Sequence, residues 1–95
     1  MDCNDVVFSG HAVRRMFERA IARDDVLHVI QTGETVAEYR DDKPYPSRLL
    51  LGFVNGRPVH VVLSLDPTSV TCHVITVYDP ERKLWNDDFK RRRSS

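Results

Sequence analysis

The chain has 95 residues, 41% of them apolar and 29% charged, with 4 Gly, 5 Pro and 2 Cys. This balance supports one small core, and it excludes a disordered chain, a disulfide scaffold and any apolar run near the ~20 residues that span a bilayer. The formal charge is zero, yet Lys90-Arg91-Arg92-Arg93 holds four of the 14 cations, leaving residues 1–89 with ten against fourteen carboxylates.

After the short apolar Val6-Val7-Phe8, Ser9 is a good N-cap, and Val13, Met16, Phe17, Ala20 and Ile21 follow at i, i+3, i+4, i+7 and i+8. That spacing predicts a helix over Ser9–Ile21 with Met16 and Phe17 buried and His11, Arg14, Arg15, Glu18 and Arg19 on the opposite face. A second helix follows, capped by Asp24 or Asp25, apolar at Val26, Leu27, Val29 and Ile30, and stopped at Gly33. Thr35–Tyr39 reads as a strand, then a polar loop from Asp41 to Ser47. Leu49–Val54 and Pro58–Leu65 flank Asn55-Gly56, the pair favoured where a hairpin turn needs φ > 0 twice. A turn at Asp66–Ser69 leads to a last strand, Val70–Tyr78, which Pro80 ends, and Glu81–Phe89 is a short helix or irregular segment. The expectation is a single α+β domain, 1–95, with an ordered core at about 6–89 and a basic tail at 90–95. An αα-hairpin packs on a four-stranded antiparallel twisted sheet.

Phosphate-cradling glycine motifs, a nucleophile elbow and metal-ligand spacings are all missing from the sequence, so no cofactor or metal is expected. Cys3 and Cys72 lack a CxxC spacing and fit free thiols in a reducing cytosol. With an acidic N-terminal segment unlike a signal peptide, the expected location is cytoplasmic. The remaining chemistry lies in scattered polar residues. His11 falls at N2 of the first helix, where the dipole disfavours an imidazolium, and Arg15 lies on the same face, flanked by Arg14 and Arg19. A helix start beside guanidiniums is a phosphate seat whose affinity should fall with salt, or simply the wet side of the helix.

His60 interrupts an aliphatic strand opposite Leu51, on a face with Leu49, Phe53 and Val62. It is either a core histidine with a satisfied hydrogen bond or a functional group. Thr76 and Tyr78 share a face of the next strand, and Arg48 heads an earlier one. A four-residue turn would set Val59 against Thr76, a five-residue turn His60 against Thr76. Trp85 and Phe89, near Lys90, Arg91 and Arg92, either stack nucleobases or hold the terminal segment over the core.

Ser9-Gly10-His11-Ala12, Arg15-Met16, Arg19, Gly33-Glu34, Pro58-Val59-His60 and Ile75-Thr76-Val77-Tyr78, followed by Pro80 and Trp85, resemble the bacterial domain-of-unknown-function family 4258 from Val7 to Lys90. That family in turn resembles the RelE/ParE-like toxin fold, with some members encoded beside small antitoxin-like proteins. The resemblance implies a metal-independent ribonuclease of a toxin–antitoxin system, with RNA as substrate and a cognate antitoxin-like protein as partner. It marks His11, Arg15, His60, Thr76 and Tyr78 as candidate catalytic positions. Arg14, Arg15, Arg19, Arg48, Lys90, Arg91 and Arg92 are candidate phosphate contacts. Cleavage without metal needs a base, an acid and a cation for the phosphorane, and these residue types supply all three. The alternative is a non-catalytic module that binds a protein partner, in which His60 sits in the core and the arginines in solvent.

Overall fold

The computed structural model describes residues 1–94, so only Ser95 of the predicted tail lies outside the described residues. Among them the chain runs β1 (Asp5–Phe8), α1 (Gly10–Arg19), α2 (Arg23–Thr32), β2 (Glu34–Tyr39), β3 (Ser47–Val54), β4 (Arg57–Asp66) and β5 (Thr71–Tyr78). The described strands form one sheet in the order β1-β5-β4-β3-β2. The class is α+β, with two helices and a five-stranded mixed sheet; the expected four-stranded antiparallel, RelE-like sheet is not the one formed. The difference is β1, which pairs parallel with β5, Val6 beside Cys72 and Phe8 beside Val74. Three apolar residues are too few to carry a strand period, and the partner strand lies more than sixty residues away, reached through both helices.

This pairing also corrects the expectation of free thiols. It brings the chain just before β1 against the start of β5, and Cys3 and Cys72 are joined in a disulfide with Cα atoms 5.7 Å apart. The thiol-based argument for a reducing compartment falls with it. Among the described residues, no helix is long and apolar enough to cross a membrane.

The Asn55-Gly56 turn forms as expected, with φ of 52° and 81°. It sets Leu51 opposite His60 and Leu49 opposite Val62. The sheet therefore has two different faces. Leu50, Val59, Val61, Leu63, Cys72, Val74 and Val77 pack under the helices with Ala12, Ile21, Val26, Val29 and Ile30. Leu49 and Leu51 pack on the other side against Trp85 and Phe89. Residues beyond Pro80 are turns rather than a helix, and they lie across that second face. Trp85 and Phe89 hold the terminal segment down, at 7% and 6% exposure.

Three local expectations change. The second helix is capped at Ala22, with Asp25 accepting from the Ala22 N–H rather than capping by itself. Gly33 does end that helix, but at φ −71°; a side chain there would meet the Val29 and Leu51 carbonyls, so closeness and not a left-handed turn calls for glycine. In the first helix Ala12 is the buried residue, while Val13 and Phe17 are 54% and 89% exposed.

The first helix is held at both ends by polar contacts, which set its rotation against the pull of its largest side chain. At its start, Ser9 Oγ accepts from Ala12 N–H and donates to the Ile75 carbonyl, both at 3.0 Å. At its end, Arg57 donates to the Ala20 and Arg19 carbonyls and to Asp79. Phe17→Ser is therefore expected to change the urea unfolding free energy by about 0.5 kcal/mol or less. A loss of several kcal/mol would mean that Phe17 is buried after all.

Candidate functional site

The β4–β5 register decides which side chains meet. The turn between these strands is Pro67–Val70, one residue later than expected, with Asp66 opposite Thr71. Farther along, the register slips between Val62 and Leu63, so Leu63 faces Val74, Val62 faces Thr76, and Ile75 is unopposed. Neither predicted pairing of Thr76 occurs. This bulge reverses the alternation. Cys72 and Val74 point to the helices, and after the extra residue Val77 does so too. Thr76 and Tyr78 thereby turn to the face that carries His60, and His60 sits directly opposite Tyr78.

Strand β1 pairs only with Thr71–Val74, so beyond Val74 the outer edge of β5 is flanked by α1 instead. Ser9 hooks the helix at this point, and His11, Arg15 and Arg19 follow at i, i+4 and i+8 along one stripe. The stripe, the end of β5 and the terminal segment line a half-open cavity of about 390 Å³. Its walls are His11, Arg15 and Arg19 from α1, Thr76, Tyr78 and Asp79 from β5 and its end, and Glu81, Leu84, Trp85 and Arg92 from the terminal segment. Asp79 is held by both oxygens to Arg57, at 2.7 and 2.8 Å from Nη2. The guanidinium of Arg92 lies 5.4 Å from the centre of the Trp85 ring.

His60 does not line this cavity. It is fully buried behind it, with Nε2 2.8 Å from the Phe89 carbonyl and Nδ1 3.3 Å from the Tyr78 hydroxyl. A carbonyl can only accept, so Nε2 carries the proton and donates to Phe89, leaving Nδ1 to accept from Tyr78 O–H. The Tyr78 proton therefore points inward, and its oxygen presents lone pairs outward. The Trp85 ring also stands edge-on to the imidazole, centres 4.6 Å apart. One buried ring thus orients both aromatic walls and ties down the terminal segment. Burial lowers the His60 pKa below its usual value, the Phe89 carbonyl opposing. Burial, with nearby Tyr39, raises that of Tyr78, Arg92 opposing, so the hydroxyl is neutral at pH 7.

Of the predicted site residues, the cavity gathers His11, Arg15, Thr76 and Tyr78, together with Arg19 and Arg92. Arg14 is exposed on another side of the helix. Arg48 lies toward the opposite end of β3, near Glu38, Arg40 and Leu65. Lys90 pairs with Glu34 of β2 at 2.9 Å, which ties the start of the basic tail to the sheet, while Arg91 pairs within its own segment, with Asp88 at 3.8 Å. Sequence reasoning missed Asp79, Glu81 and Leu84 as cavity walls and Arg57 as the support of Asp79. Asp79 gave no signal, because Asp before Pro after a strand reads as an ordinary turn start. Among the described residues, no cluster of three or more His, Cys, Asp or Glu could hold a metal ion.

Residues 8–79 match the family described as Domain of unknown function (DUF4258). The protein belongs to that family. No curated protein matches it, and no solved structure does. Within the DUF4258 match lie the helical wall, the β5 floor and His60. Glu81, Leu84, Trp85 and Arg92, the wall on the other side, come from the segment beyond it.

Proposed function

We propose that this DUF4258 domain is a toxin-like, metal-independent endoribonuclease whose active site is the cavity between α1 and the terminal segment. The observation that carries the reading is the convergence of His11, Arg15, Arg19, Tyr78 and Arg92 on one space from three separate elements. Guanidiniums are suited to a phosphodiester because their N–H groups fork onto two of its oxygens. Arg15 and Arg19 hold the phosphate and stabilise charge as the phosphorane forms. The ribose 2′-hydroxyl donates to the Tyr78 oxygen, and as its proton moves there, the Tyr78 proton passes to His60 Nδ1. The freed 2′-oxygen bonds to phosphorus, the bond to the 5′-oxygen breaks, and His11, held as imidazolium against the helix dipole by the charge of the bound phosphate, gives that oxygen its proton. A 2′,3′-cyclic phosphate and a 5′-hydroxyl result; the proton on His60 returns through the Tyr78 hydroxyl to solvent, and His11 takes up a new one from solvent. In this reading His60 acts through Tyr78, and Thr76 lines the ribose. The reading takes the cytoplasm as the site of action and an antitoxin-like protein as the restraining partner.

Purified full-length protein should cut labelled single-stranded RNA in the presence of EDTA and leave cyclic phosphate ends. RNA carrying a single 2′-deoxy sugar should resist at that position. If no RNA is cut under metal-free conditions, the reading fails. The non-catalytic protein-binding module then stands, favoured by the complete burial of His60 with both ring nitrogens occupied.

A further inference from the structure

The two ends of the cavity differ chemically. Its α1 wall offers N–H donors, Arg15 and Arg19 with His11. The terminal segment offers the apolar side chain of Leu84, an edge of the buried Trp85, and Glu81. A carboxylate facing a phosphate is repulsive, so its place in a cation-lined cavity calls for a ligand with donors at that end. The other wall carboxylate, Asp79, has both oxygens taken by Arg57. Glu81 meets Lys83 alone among the described ion pairs, at 3.9 Å, with side chains 46% and 83% exposed. It is the carboxylate left with capacity to accept. Its backbone is held close to that of Trp85, because the Glu81 carbonyl accepts from the backbone N–H of both Leu84 and Trp85 at 3.0 Å.

We propose that the terminal-segment end of the cavity is a guanine subsite, with Glu81 reading the base edge and Leu84 and the guanidinium of Arg92, backed by the buried Trp85, contacting its face. The proposal rests on the reading that the α1 end holds a phosphate. Guanine presents two adjacent donors, N1–H and the N2 amino group, which match the two oxygens of one carboxylate. Adenine sets the N1 lone pair against it, cytosine sets N3 beside its amino group, and uracil has one N–H between two carbonyls. Each of these leaves an acceptor facing an acceptor, which disfavours the wrong base as well as favouring the right one. Arg92, already stacked on Trp85, extends the flat surface on which a base can lie.

The test is binding of guanosine, adenosine, cytidine and uridine 3′-monophosphates to the full-length protein, by calorimetry and by emission from Trp85, the only tryptophan in the sequence. Guanosine 3′-monophosphate should bind ~10- to 100-fold more tightly than the others and quench Trp85, the range expected of a bidentate base contact. Glu81→Gln, at an exposed position, should abolish the preference, lowering guanosine and raising the other three toward a common level. Equal binding of all four, or a preference that survives Glu81→Gln, overturns the subsite. Guanosine preference without RNA cleavage would uphold the subsite and sink only the ribonuclease reading. Cleavage without any base preference would do the reverse.

Discussion

Alanine in place of His11 is expected to slow metal-free RNA cleavage by ~10²–10⁴-fold with the fold unchanged, the range for losing a general acid. His11 is exposed at the second position of α1, and Ser9 and Arg57, not His11, hold that helix in place. Arg15→Ala should cost a comparable factor through lost charge stabilisation, about 10²–10³-fold. Arg14→Ala, one residue away but off the cavity, should leave the rate unchanged. Single-turnover rates in EDTA, with circular dichroism as the check on folding, separate these outcomes. If His11→Ala and Arg14→Ala cut alike, His11 gives no proton to the leaving group.

Truncating His60 should be the most damaging single change to stability. His60→Ala removes a fully buried ring and leaves the Phe89 carbonyl without its donor, a loss of about 3–5 kcal/mol by analogy with other buried rings. Trp85, edge-on to that ring, should shift its emission to the red as the terminal segment loosens. His60→Gln can still donate to Phe89 through its amide N–H and offers an amide oxygen toward Tyr78, so it should keep most of the stability while losing the basic nitrogen that takes the Tyr78 proton. Cleavage should then fall while urea unfolding changes little. Loss of stability without loss of cleavage by the folded Gln variant would make His60 purely structural.

The same residue sets a pH dependence. The folded state holds its pKa below the unfolded value of about 6.5, so between the two the unfolded chain binds the extra proton. Its contribution to stability is therefore complete above pH 6.5 and is lost as pH falls from there through the lower folded value. Urea midpoints should drop on acidification in wild type and drop less over that window in His60→Gln. Equal drops in the two proteins would place the acid sensitivity elsewhere.

Elements with a strong local signal were legible in the sequence. The hairpin at Asn55-Gly56 needs two residues that tolerate positive φ, and its register followed from counting outward, so Leu51 opposite His60 was predictable. Ser9 as a cap was equally readable, because its hydroxyl serves a backbone N–H three residues away. The helix stripe misled, since Val13 and Phe17 share the apolar period but not the burial. Which stripe faces inward depends on contacts to Ile75 and Arg57, 66 and 37 residues distant, and periodicity carries no such information.

What the sequence determined by itself was the α+β class, the hairpin, the helix pair, and a short list containing His11, Arg15, His60, Thr76 and Tyr78. These follow from local chemistry: capping, turn conformation, alternation, and residue types able to hold phosphate or move protons. The tertiary structure alone decided which of them meet. A bulge at Ile75 turned Thr76 and Tyr78 to the face of His60, and the parallel strand β1 stopped short enough for α1 to flank the end of β5. The terminal segment folded back to seal His60 and to bring Arg92 and Glu81 into the cavity wall. Each of these rests on pairings between residues far apart in the chain. Their free energy depends on register and burial, and neither exists until the sheet has closed.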